Sequence, residues 1–245
     1  MGAAFNNILM VTYCTYIVML EYRHKVWPYE YMTFSRRIGE LWEPFCKLCF
    51  EHSNNENLTL IRPPLFNEVK NQLKEEIDSF IFTLSISKEE KKILIEYYEK
   101  VWSLITSGQV KLELDLHFKF NGENINLDFA NKNFNIDFKS GFHSNEKGNT
   151  NRLLLVGAIY KNIIHEDNKC IIFVRSDQNN HYLETIKNSG LWNVFCAEET
   201  YNQINNFTNF NLMQWITENV DWISDLSYDI RKDFEKSNLL QYLNW

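Results

Sequence analysis

Residues 133–152, NFNIDFKSGFHSNEKGNTNR, set an acid and a lysine two positions apart, Asp137 and Lys139, within the apolar alternation Phe134, Ile136, Phe138. On a strand, residues two apart point the same way. The carboxylate can hold a divalent metal while the ammonium steadies an attacking water or a developing negative charge. Asp115, in VKLELDLHFKF, offers a second carboxylate on the same kind of face. Two carboxylates and a lysine at the edge of a sheet suit Mg²⁺, which prefers oxygen ligands, with a phosphodiester held against it. The competing reading is a solvated strand face, for which such alternation is ordinary.

Three features favour chemistry. Gly141 follows the strand and lets the chain turn closely. Residues 143–152 then gather His143, Ser144, Asn145, Glu146, Lys147, Asn149, Thr150, Asn151 and Arg152, whose groups suit phosphates and base edges. That loop runs into an apolar helix, and a helix N-terminus attracts phosphate.

The elements that must position these groups follow from periodicity. YMTFSRRIGELWEPFCKLCFEHS carries Phe34, Ile38, Leu41, Trp42, Phe45, Leu48 and Cys49 at helical spacing, with Pro44 kinking the helix or starting a second one. Residues 65–84 form an amphipathic helix with Phe66, Val69, Leu73, Ile77, Phe80 and Ile81 on one side. A third helix starts at a Ser87/Glu90 capping box and stops at Gly108.

The period then becomes two. Leu112, Leu114, Leu116, Phe118 and Phe120 alternate with Lys111, Glu113, Asp115, His117 and Lys119, and NGEN is a hairpin turn. INLDF and FNIDFK complete a three-stranded antiparallel meander with one charged face. Beyond it come a helix over 150–166 capped by Asn149 or Thr150, buried strands at 169–176 and 193–199 separated by a short helix, and closing helices. The fold expected is α/β, a mixed sheet flanked by helices with a mainly helical N-terminal part. Residues 1–30 stand as an apolar segment before a single domain over 31–245, made of a helical part (31–108), the meander (110–140) and an α/β remainder (150–245).

Bulk properties bound the function. The 245 residues carry 25 Lys and Arg against 32 Asp and Glu, a net charge of −7, which opposes a broad nucleic-acid-binding surface but leaves room for a local one. Eight Gly and four Pro exclude a linker-rich or collagenous chain. Five scattered cysteines suit a reducing cytoplasm; Cys46, Cys49 and His52 form a partial zinc set, against which buried thiols are the simpler reading. The apolar run 8–20 is too short to cross a bilayer and lacks secretory-signal flanks. It reads as a buried helix or strand, or as an upstream extension of a frame starting at Met19 or Met32.

LDLHFKF … FNIDFKSGF resembles the PD-(D/E)-x-K nuclease core, in which an acid at one strand pairs with an acid-x-Lys on the next. Element order and chain length most resemble a type II restriction endonuclease. The resemblance implies Mg²⁺-dependent, sequence-specific hydrolysis of double-stranded DNA to 5′-phosphates by a homodimer that does not involve a membrane. Asp137 and Lys139 match the second acid and the lysine, and Asp115 the first acid and second metal ligand. No Pro precedes Asp115, and a strand with Asp128 intervenes, so Asp128 is the rival first acid; Glu113 shares the face of Asp115. Glu40 resembles an extra helical acid that some such nucleases add, with a surface role as its alternative. DNA contacts would fall to His143, Ser144, Asn145, Lys147, Asn149, Asn151 and Arg152. The rival readings are a non-catalytic α/β binding or regulatory protein and a repair or structure-directed nuclease of the same fold.

Overall fold

The computed structural model describes residues 3–104, 111–122, 132–142, 147–164, 167–177 and 180–243. Its N-terminal part is helical: α1 (Ala3–Val26), α2 (Tyr31–Glu51), a short strand β1 (Leu58–Leu60), then α3 (Phe66–Thr83) and α4 (Lys88–Leu104). Strands β2 (Leu116–Phe120) and β3 (Lys132–Lys139) follow, then α5 (Lys147–Ile159), β4 (Asn168–Val174), α6 (His181–Asn188) and β5 (Asn193–Cys196). The chain closes with α7 (Glu198–Thr208), α8 (Leu212–Asn219), α9 (Trp222–Asp225) and α10 (Tyr228–Lys236).

The sheet order is β1-β2-β3-β4-β5. The first two pairings are antiparallel and the last two parallel, the parallel steps being bridged by α5 and α6. The protein is therefore α/β, with a five-stranded mixed sheet between helices, as the alternation of periods predicts. β2 pairs directly with β3, Leu116 opposite Ile136, so no strand lies between them in the sheet. Asp128 and INLDF lie outside the described residues.

Both faces of β3 are covered. Phe134, Ile136 and Phe138 join a core with Trp42, Phe45 and Phe50 of α2 and Phe207 of α7. Cys170, Ile172 and Val174 of β4 pack on the other face against Leu153 and Val156 of α5. The competing reading of a solvated face fails at β3: Asn135 and Asp137 are each only 2% exposed.

Several boundaries differ from the sequence reading. No second helix begins at Pro44: α2 continues through it as one helix, because the stripe from Phe34 to Phe50 is buried on both sides of the proline. Strict alternation over 112–120 fails: Leu112 and Leu114 join the core under α5, whereas Leu116, Phe118 and Phe120 join the other. The chain bends at Asp115 before the strand begins. α5 starts at Lys147, so Asn149 and Thr150 sit inside its first turn instead of capping it. α7, rich in Asn and Thr, has weak helix propensity; burial of Tyr201, Ile204 and Phe207 makes it a helix, and Ala197 with φ of 48° ends β5 before it.

The apolar run 8–20 is part of α1, which by length and composition is sufficient to cross a membrane. One stripe of α1, Phe5, Leu9, Tyr13, Leu20 and His24, is buried in the protein, and Tyr13 donates a 2.8 Å hydrogen bond to Asp225. Cys46 and Cys49 lie in the core, Cys49 donating to the Phe45 carbonyl. Burial pushes both thiols up, and His52 packs on the ring of Phe5.

Candidate active site

Asp137 and Lys139 stand at the C-terminal end of β3, on the side of α5. Asp115 reaches them from the bend before β2. Extending the register by one residue sets Asp115 opposite Asp137. Where the ladder would continue, the Asp115 carboxylate accepts a 2.7 Å hydrogen bond from the Phe138 amide. The bend itself is pinned by His117. Its Nε2 accepts from the Leu114 amide at 2.9 Å, so the proton sits on Nδ1, 2.9 Å from the Asn135 carboxamide oxygen. Burial holds this imidazole below its usual pKa. His117 is thus buried although it falls on the charged side of the alternation. It places Asp115.

Lys139 Nζ lies 2.8 Å from Asp137 and 3.1 Å from the Phe138 carbonyl. Burial works against its charge, but Asp137, then Asp115 and Glu43, outweigh burial and hold the ammonium above its usual pKa. Arg152, from the second turn of α5, reaches the two Asp137 oxygens at 3.4 and 3.5 Å and Asn149 at 3.4 Å.

The sequence reading missed Glu43. This α2 residue is half-buried; burial, reinforced by Asp115, Asp137 and Glu40 against the opposing Lys139, pushes its carboxyl up to about 7. Burial and the Asp137 charge likewise raise Asp115. Glu40 faces the same cleft but is paired with Arg37 at 2.8 Å. Glu43 was discoverable: it lies nearer than Glu40 to the buried stripe of α2, hence nearer the sheet. The cleft, about 440 Å³, runs between α1 and α2, with Glu40, Glu43, Lys47 and Glu51 along it and Asp115 and Phe138 at its end.

Glu113 is exposed, and its charge acts on His117. Lys147 and Asn151 are exposed on the first turns of α5 and Asn149 is half-buried beside Arg152. His143, Ser144 and Asn145 lie outside the described residues.

Among the described residues no three His, Cys, Asp or Glu side chains are arranged as a metal cage. The donor chemistry nonetheless fits Mg²⁺, which is held by one or two carboxylates completed by water and substrate phosphate. Asp115 and Asp137 are oxygen donors facing across neighbouring strands; burial raises the Glu43 and Asp115 carboxyls, and the Asp137 charge adds to both shifts.

A pH test follows from Glu43. Its folded pKa lies above the unfolded value near 4.5, so the contribution to stability is full below about pH 4.5 and disappears as pH rises through about 7. Asp115 acts in the same direction. After allowance for solvent screening the Glu43 contribution is about 1–2 kcal/mol. Thermal melts in EDTA should fall between pH 5 and 7.5, Glu43→Gln should flatten the fall, and Mg²⁺ should recover stability increasingly toward pH 8. Melts of both proteins that run parallel across this range would remove Glu43 from the cluster.

No known protein family, curated protein or solved structure matches the chain.

Proposed function

We propose that the chain is a Mg²⁺-dependent endonuclease that hydrolyses double-stranded DNA at specific sequences, a PD-(D/E)-x-K nuclease of the type II restriction kind on a restriction-endonuclease-like sheet. One observation carries the reading: Asp115, distant in sequence, is bonded to the β3 backbone beside Asp137 and Lys139, at the end of a cleft whose wall supplies Glu43.

Asp115 and Asp137 would hold the metal, with Glu43 close enough in charge to act on a metal-bound or attacking water. Mg²⁺, when bound, supplies Lewis-acid polarisation of a phosphoryl oxygen and a more acidic water. The chain's own groups orient and compensate. Lys139, held as a cation, offsets charge growing on the attacked phosphoryl group and does not serve as a base. Arg152 steadies Asp137, while Lys147, Asn149 and Asn151 at the start of α5 offer donors to backbone phosphates and base edges. Water attacks in line and the cut leaves a 5′-phosphate.

Digestion of unmodified plasmid and phage DNA in Mg²⁺ and in EDTA tests the proposal. Discrete Mg²⁺-dependent fragments support it, and a smear turns it toward a repair or structure-directed nuclease. Intact DNA across templates and metals favours a second reading, a binding protein in which Asp137, paired at 2.8 Å with Lys139 and touched by Arg152, belongs to a structural ion-pair network. The two helical acids should separate: Glu43→Gln lowers single-turnover cleavage about 10²-fold and Glu40→Gln by less than about threefold. Equal losses would return the role to Glu40 or to neither.

A further inference from the structure

At the N-terminal ends of β3, β4 and β5, opposite the end that bears Asp137 and Lys139, lies a cavity of about 620 Å³. Lys132 opens β3 and Lys139 closes it, so the two ends are about 23 Å apart along the strand. Lys132, Asn168 and Lys169 of the strands line the cavity, with Lys161 beyond α5 and Trp192 before β5. The walls are fixed. Trp192 is 5% exposed, and its indole donates a 2.9 Å bond to the Leu153 carbonyl. Gly157 lets α5 lie on this ring: a Cβ there would fall 2.4 Å from the indole nitrogen. α5 then widens into a π-helical turn, Tyr160–Ile164, which carries Lys161. Turns of this kind are rare and concentrate at functional sites.

A hydrogen-bond chain across the sheet sets the polarity of the cavity. The Leu114 amide can only donate, so His117 Nε2 accepts and Nδ1 carries the proton. The Asn135 oxygen receives that proton at 2.9 Å, which turns the Asn135 amide nitrogen to the Asn168 oxygen at 3.3 Å. Asn168 keeps its own amide nitrogen for the cavity, and that nitrogen has no partner among the described residues. It presents a donor. Charge points the same way. Among the described residues three lysines and no acid line the cavity. Asp167 beside it pairs with Lys132 at 2.6 Å, which leaves two positive charges in excess. The helix C-termini that end here oppose this by about half a charge each and do not reverse it. Lys161 donates to the Gly190 carbonyl at 3.0 Å, and an ammonium has two further protons to offer. In a chain of net charge −7 this excess is local.

We propose that this cavity binds a small phosphate ester of about mononucleotide size. The phosphate lies among the ammonium groups of Lys132, Lys161 and Lys169 and accepts from Asn168 Nδ2, lysine being a point-charge partner of phosphate. The volume falls within the roughly 300–1,000 Å³ of small-molecule sites, so the organic part of the ester has room against Leu191 and Trp192. The site lies at the other end of β3 from Asp137 and Lys139, and it stands whatever reaction those residues perform.

Equilibrium dialysis of the full chain against radiolabelled adenosine 5′-monophosphate tests it, in EDTA so that no metal carries phosphate to Asp115 and Asp137. The nucleotide should bind with a Kd of about 10⁻⁴ M or tighter. Inorganic phosphate should displace it, and adenosine should compete at least about tenfold more weakly than the unlabelled nucleotide. Asn168→Asp keeps the oxygen that serves Asn135 and exchanges the donor for an anion. It should weaken binding at least about tenfold with a melting temperature near that of the wild type. Lys161→Met, at an exposed side chain, should weaken binding at least about threefold without touching the core. Absence of saturable binding up to about 10⁻² M overturns the proposal. So does binding that both variants leave unchanged, and so does adenosine competing as well as its phosphate. Displacement by a 5′-phosphorylated DNA duplex would assign the lysines to a nucleic-acid backbone and overturn the small ligand.

Discussion

Asp137→Asn should abolish Mg²⁺-dependent cleavage, by at least about 10³-fold or roughly 4 kcal/mol of barrier, while the protein remains folded. The substitution keeps shape and removes one charge at a carboxylate only 2% exposed. In a merely structural network, deletion of the shared anion would leave Lys139 and Arg152 facing a neutral amide, and breaking such a buried pair costs about 3–5 kcal/mol. Here the loss has an offset: Asp115 and Glu43, both raised partly by the Asp137 charge, are relieved when it goes. The expected melt therefore shifts by only a few degrees. Single-turnover cleavage and a thermal melt on the same preparation decide the matter. Cleavage within threefold of wild type removes Asp137 from the chemistry, and a protein unfolded at 25 °C makes the carboxylate a fold element first.

Gly39→Val should impair both fold and activity at a distance from the reacting groups. A Cβ at Gly39 would fall 2.1 Å from Ser140 Oγ and 2.5 Å from Ser140 Cβ. Real atoms do not approach so closely, so α2 must move off the end of β3. Overpacking of this kind costs about 1–3 kcal/mol. α2 carries Glu43, one turn beyond Gly39, and β3 carries Asp137 and Lys139, so the shift separates Glu43 from the charges that act on it. A misplacement of about 1 Å can reduce a rate about 10²-fold. Gly39→Ala paired with Ser140→Gly should recover most of the loss, because the second change removes both atoms in conflict. A Gly39→Val protein with wild-type melting temperature and cleavage would show that α2 has slack over the sheet.

Local pattern made much of this legible. The amphipathic stripe of α2, the Ser87/Glu90 capping box, realised by reciprocal bonds of 2.9 and 3.1 Å, and the near-continuous apolar run of β4 all followed from side-chain periodicity and cap chemistry. Asp137 and Lys139 were readable because a charged pair inside an apolar alternation is conspicuous. Harder elements were those whose state depends on distant partners. β1 is a three-residue edge strand held by pairing to β2. α7 is a polar sequence made helical by the pockets that Tyr201 and Phe207 fill; Tyr201, for example, accepts a 2.9 Å bond from the Trp42 indole.

By itself the sequence determined the class of fold, the strand that bears Asp137 and Lys139, and the candidacy of Asp115, since these depend on periods of two and 3.6 within short windows. Tertiary structure alone decided the rest. The face carrying Asp137 is buried under α5, not solvated, because a sheet with parallel crossovers is covered on both sides. His117 became the pin of a bend because Asn135, its partner, arrives from another strand. Glu43 joins Glu40 on the cleft beside Asp115 because Gly39 allows α2 to lie close on Ser140, and the angle at which one helix meets one sheet is not written in the spacing of its own residues.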